Sequence, residues 1–147
     1  VSGVFGLLLF IVTLVGVTYL FAVASRNGTV DRIVGWATRV TGDHPAAMPW
    51  LMFGLAAVIT GIGALSPAAV AVLAPVALRF GARHGLSPLM MGLMVIHGAQ
   101  AGGFSPMSVY GGITNQVVAR AGFVAEPGTL FLAAFAFNAA IALVVFV

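Results

Sequence analysis

Two stretches of this chain run too long without a charge to fold around a water-facing surface, and each is interrupted near its middle. Residues 46–78 and 88–118 are 33 and 31 residues long and contain no Asp, Glu, Lys or Arg. One simple membrane span takes about 20 apolar residues, so each run exceeds one span and falls short of two with a loop. A third uncharged run, Val1 to Ala24, reaches about 36 Å at 1.5 Å per residue, enough to cross a hydrocarbon layer of roughly 30 Å. Only nine of the 147 residues are charged and 61% are hydrophobic, whereas a soluble domain carries about 25% charged residues. The pattern predicts an all-α membrane protein.

The few charges are informative. All six basic residues are Arg, and five lie in the stretches Arg26–Arg39 and Arg79–Arg83, which flank apolar runs. That is the pattern of positively charged cytoplasmic loops rather than of a nucleic-acid surface. The absence of cysteine excludes a disulfide framework and thiolate metal sites. The run Val1–Ala24 exceeds the usual signal-peptide core of about 7–15 residues. Both ends fall in apolar runs, so the chain is expected to be part of a longer polypeptide.

Read in order, residues 1–24 predict a spanning helix. In 29–41, Val30, Ile33, Val34, Ala37 and Val40 share one face, opposite Asp31, Arg32, Thr38 and Arg39. This predicts an amphipathic interfacial helix with Trp36 at headgroup depth. Gly61, Gly63, Ser66 and Pro67 break the run 46–78, predicting a re-entrant hairpin of two short helices that meet near the midplane. The hairpin is favoured over a broken spanning helix because it keeps all five arginines on one side. Arg79 to Ser87 reads as a polar link holding His84. Residues 88–119 predict a broken helix: helical to about Ala101, unwound through Gly112, and helical again from about Ile113. Residues 128–147 predict a final span with Asn138 near its middle. These segments form one membrane domain.

Broken membrane segments point to binding sites in secondary transporters. A half-helix that starts inside the membrane presents unpaired N–H groups and a positive dipole end to an anion. Freed carbonyls and hydroxyls can hold a small cation. The candidates for substrate or cation binding are Ser66 and Pro67 at the hairpin tip, with Thr60 less central, and Ser105, Pro106, Ser108, Gly112, Thr114 and Asn115 around the second break. Gly, Ser and Thr also mediate close helix packing, which stands as the alternative for each of them. His97 and Gln100, three apart on one helical face, are candidates for a proton or hydrogen-bond relay. A neutral His97 bonded to a neighbouring carbonyl fits equally well. His44 and His84 sit in polar links. No cluster has metal-ligand spacing, no cofactor is expected, and no membrane-facing carboxylate is present for Ser/His/Asp chemistry, so an enzyme is not expected.

The segments Thr60-Gly61-Ile62-Gly63-Ala64-Leu65-Ser66-Pro67-Ala68-Ala69, Leu73-Ala74-Pro75-Val76, His97-Gly98-Ala99-Gln100-Ala101-Gly102-Gly103-Phe104-Ser105-Pro106-Met107-Ser108 and Gly112-Ile113-Thr114-Asn115 together resemble the N-terminal domain of MatC-type dicarboxylate (malonate) carriers. Those belong to the ion transporter superfamily and are distantly similar to divalent-anion/sodium symporters. In the symporters the hairpin tip carries Ser-Asn-Thr; here it is Ser66-Pro67-Ala68, so only the serine carries over. The resemblance implies one repeat of a multi-pass carrier in the bacterial cytoplasmic membrane and an inverted C-terminal repeat as its partner; the oligomeric state stays open, a homodimer being one candidate. It implies ion-coupled transport of a small dicarboxylate, with Na+ or H+ as the coupling ion and no metal beyond such a Na+. The contrasting expectation is a non-transporting membrane assembly subunit whose glycine-rich segments only pack helices.

Overall fold

A computed structural model describes residues 44–147 throughout, apart from the Pro45 side chain, and scattered positions between Val4 and Arg39. The spanning helix expected over 1–24 and the interfacial helix expected over 29–41 fall largely outside the described residues. Among the described residues the chain is helical, without strands.

After a 3-10 turn at Pro45–Ala47, five helices follow: α1 (Met48–Gly61), α2 (Ser66–His84), α3 (Pro88–Gly103), α4 (Val109–Arg120) and α5 (Pro127–Phe146). Prolines sit in the first turn of α1, α2, α3 and α5, where the missing N–H has no intrahelical partner to lose. α1 stops at Gly61, and Gly63 turns the chain at φ +120, a conformation that side-chain-bearing residues avoid. The long run therefore breaks where its glycines, Ser66 and Pro67 cluster.

Two boundaries differ from the sequence expectation. α2 continues through Arg79 and Arg83 to His84, so the polar link shrinks to Gly85–Ser87. Its true stop is Gly85 at φ 68, with the Leu86 N–H reaching back to the Gly81 carbonyl at 2.9 Å. Arg83 and His84 occupy the last turn, where positive charge suits the negative end of the helix dipole. The second break is also shorter than expected. α3 keeps Gly102 and Gly103 and α4 includes Gly111 and Gly112, leaving only Phe104–Ser108 outside the helices.

α3 is the central helix. Gly98 faces Phe53 and Gly102 faces Ala57, so α1 and α3 run parallel. Ser66 contacts Ala99 while Gly81 contacts Met91, so α2 runs antiparallel to both. α5 is antiparallel as well, with Trp50 against Phe146 and Phe53 against Phe135 at ring-centroid distances of 5.7 and 6.1 Å. Met48, Met52, Leu73, Val76, Met91 and Val95 are fully buried where α1, α2 and α3 meet. This arrangement puts the start of α1 and the end of α2 at one end of the bundle. The α1–α2 turn, the end of α3 and the start of α4 lie at the other.

α5 is the one described helix both long and apolar enough to cross a membrane. Leu132, Phe137 and Val144 on it are exposed. A helix apolar on every side yet exposed suits hydrocarbon and not water.

Candidate functional site

The end of the bundle that holds both breaks also holds a groove. It measures about 570 Å³ and lies between α2, α3 and α4, lined by Ser66, Pro67, Val70, Ala71, Ile96, Ala99, Gln100, Phe104 and Tyr110. Ser66 and Pro67 open α2, and Tyr110 lies in the first turn of α4. Two helix N-termini thus flank one groove, each contributing the positive end of a helix dipole, an idealised half charge. Among the described residues no Arg or Lys lines the groove. Its polar side chains are neutral: the Ser66 hydroxyl, the Gln100 amide and the Tyr110 phenol.

Local chemistry fixes this geometry. Ser66, 5% exposed, donates its hydroxyl to the Ala99 carbonyl at 3.0 Å, tying the tip of the α1–α2 turn to α3. Ser108 caps α4: its hydroxyl accepts from the Gly111 N–H at 3.0 Å and donates to the carbonyls of Gly103 and Ser105. Gly111 fits because a Cβ there would stand 2.1 Å from the Ser105 carbonyl oxygen. Pro75, inside α2, supplies no N–H to the Ala71 carbonyl, which is left without its usual helical partner beside the groove.

The remaining candidates separate. Ser105 is buried and donates to the Gly61 carbonyl, fastening the second break to the first. It lines a different, apolar groove of about 450 Å³ between α1, α3 and α5, with Gly61 and Gly102. Thr60, fully buried, donates to the Ala56 carbonyl at 2.9 Å. Asn115 donates its amide to the Gly111 carbonyl at 2.7 Å, within α4. Pro106 is exposed, and Gly112 and Thr114 are half-buried in α4. None of Ser105, Pro106, Ser108, Gly112, Thr114 or Asn115 lines the groove that Ser66 and Pro67 line.

His97 and Gln100 also part ways. His97 is half-buried, with Nδ1 at 2.9 Å from the Asn138 Oδ1 of α5. Gln100 is exposed and lines both the main groove and a second one of about 390 Å³ between α3 and α5, where Asn138 and Phe104 also lie. Phe104, Tyr110 and Ala71 were not among the sequence candidates. Tyr110, one of only two tyrosines in the chain, offered a signal that its apolar surroundings obscured.

The Ser105 bond yields an expected result. Ser105→Ala removes a buried donor to the Gly61 carbonyl, a loss of about 1–3 kcal/mol. The protein carrying it should melt at a lower temperature in a thermal-shift measurement, whereas an unchanged melting temperature would show that the bond contributes no stability.

Residues 3–103 match the family described as dicarboxylate carrier protein MatC N-terminus. The matched stretch includes α1, α2 and α3 and ends where α3 ends. No match was found among curated proteins or among solved structures.

Proposed function

Because this chain belongs to the MatC N-terminal family of dicarboxylate carrier proteins, we propose that it is the first repeat of an ion-coupled secondary carrier for a small dicarboxylate such as malonate, held in the cytoplasmic membrane by several passes. The observation that carries this reading is the convergence of the α2 and α4 N-termini on the main groove beside Gln100. Helix N-termini receive a carboxylate without a full positive charge. The Gln100 amide and the Tyr110 hydroxyl add directional donors. An inverted second repeat supplies the opposite wall and encloses the anion. With no arginine at the groove, the second carboxylate depends on that wall and on a co-transported cation, Na+ or H+.

The close glycine contacts between α1 and α3 are equally required by a subunit that only packs helices. Uptake separates the two. In proteoliposomes holding the full-length protein, radiolabelled malonate should accumulate under an ion gradient. Gln100→Leu should weaken apparent affinity about tenfold, the equivalent of 1.4 kcal/mol, with the protein's abundance unchanged. Absence of uptake for any dicarboxylate tried, from well-folded protein, leaves the packing subunit as the reading.

A further inference from the structure

We propose that Arg32 and Arg39, with Gly35 and Trp36 between them, form a binding site for the phosphate of an anionic phospholipid headgroup. These four residues are helical and line one pocket of about 420 Å³, which shares no lining residue with the grooves of the bundle. Their spacing of three, four and seven places them on one helical face. The two arginine backbones stand about 10 Å apart along the axis, within reach of a common anion for side chains of that length. Gly35 keeps the floor between them open: among the described residues nothing lies within 4 Å of a Cβ there. A guanidinium presents a planar fork that matches phosphate with two parallel N–H bonds. Two such forks on one face can hold a single phosphodiester from both sides.

The place of these residues in the chain selects the source of the phosphate. Val23 and Arg26 are helical, the Asn27 N–H bonds the Val23 carbonyl at 3.0 Å, and Gly28 turns the chain at φ 74. The Arg32 N–H then bonds the Gly28 carbonyl at 3.0 Å, which opens the next helical stretch. This stretch lies between the uncharged runs 1–24 and 46–78, so both of its ends are tied to segments expected in hydrocarbon. Trp36 is 52% exposed on the same face as the two arginines. An indole, apolar with one N–H donor, favours the headgroup level over both water and hydrocarbon. The aliphatic stems of arginine can lie on that surface while the guanidiniums reach the phosphates. A zwitterionic headgroup suits the pocket less, because its ammonium is repelled by the second guanidinium, whereas an anionic one keeps a net attraction. The proposal does not rest on the dicarboxylate reading.

The test titrates the full-length protein in detergent with phosphatidylglycerol and, separately, with phosphatidylcholine, and reads the lipid-bound fraction by native mass spectrometry. Phosphatidylglycerol should be retained in preference. Arg32→Gln combined with Arg39→Gln should weaken that retention about tenfold or more, through the loss of charge-assisted bonds. Gly35→Leu keeps both charges and fills the pocket floor, so it should weaken retention as well. Arg120→Gln, in the last turn of α4, removes an arginine outside the pocket and should leave retention unchanged. Asp31→Asn, which removes a carboxylate next to Arg32 in the chain, should strengthen it, because carboxylate and phosphate repel. Unchanged retention in either pocket variant, an equal fall in Arg120→Gln, or weaker retention in Asp31→Asn would overturn the proposal. Displacement of the lipid by an equal concentration of inorganic phosphate would also overturn it, and would assign the pocket to a free anion. Trp36 gives a second readout in nanodiscs. Phosphatidylglycerol with brominated acyl chains should quench the fluorescence that Trp36→Phe removes more strongly than brominated phosphatidylcholine does, and equal quenching counts against a headgroup site.

Discussion

Gly102→Ala should leave almost none of the folded protein in the membrane, while Gly92→Ala in the same helix should leave abundance unchanged or slightly raised. A Cβ at Gly102 would lie 2.0 Å from the Ala57 carbonyl oxygen and 2.3 Å from the Thr60 hydroxyl. At Gly98, one turn earlier on the same face, it would lie 2.2 Å from the Phe53 carbonyl oxygen. Neither α1 carbonyl can rotate away without breaking its own helix, so α1 has to move off α3. Overpacking costs typically 1–3 kcal/mol and occasionally more, against a total stability of about 5–15 kcal/mol. A backbone obstruction falls at the upper end, because no side chain can yield. The same movement would pull Ser66 from Ala99 and Ser105 from Gly61, so the two breaks would separate. Among the described residues nothing lies within 4 Å of a Cβ at Gly92, and alanine is the better helix former by up to about 1 kcal/mol. Fluorescence-detected gel filtration of the heated full-length protein measures both variants.

Ala71→Trp should abolish dicarboxylate uptake without comparable loss of protein. Ala71 is half-buried and lines the main groove from α2, opposite Gln100 and Phe104 of the α3 end. An indole there has room to extend into the groove of about 570 Å³ rather than into the core, so packing survives while the space for substrate is filled. A steric block of this kind should reduce uptake a hundredfold or more, about 2.8 kcal/mol or greater at 1.4 kcal/mol per factor of ten. Ala82→Trp, exposed near the far end of the same helix, serves as the control with near-normal uptake. Equal uptake by both tryptophan variants would place the substrate elsewhere.

Much of the backbone plan was legible in the residues. The turn after Gly61 follows from Gly63 and Pro67, which have few conformations compatible with a continuing helix. α5 follows from a long apolar run opened by Pro127. Other features depend on which surfaces meet, and a one-dimensional pattern does not carry that. Glycine is ambiguous in this respect: it weakens a helix and it also lets a neighbouring backbone approach. Gly102, Gly103, Gly111 and Gly112 suggested a long unwound loop, yet Gly102 stays helical against Ala57 and Gly111 against Ser105. The charges at Arg79 and Arg83 end an apolar run without ending a helix, because a helix stops at its cap, here Gly85.

The candidate site divided for the same reason. Ser66 and Ser105 look alike in sequence, each next to a proline in a small-residue stretch. One lines the groove between α2, α3 and α4, and the other faces the apolar groove beside α5. Each hydroxyl is donated to a backbone carbonyl across the break, which accounts for the serines through satisfied hydrogen bonds before any ligand is considered. Asn138 stood out only as a polar residue inside a span. Its pairing with His97, 41 positions away, exists only once α5 lies antiparallel to α3.

The central claim is that the groove between the N-termini of α2 and α4 receives the dicarboxylate. Substrate protection of a single cysteine tests it most directly. This chain contains no cysteine, so Ala71→Cys can be introduced into an otherwise cysteine-free full-length protein and its rate of maleimide labelling measured in proteoliposomes. Leu132→Cys on the exposed face of α5 provides the reference. Malonate should slow labelling at position 71 by about tenfold, with half-protection near the concentration that half-saturates uptake, and leave position 132 unaffected. Full-rate labelling at position 71 under saturating malonate, in protein that transports it, would contradict the account.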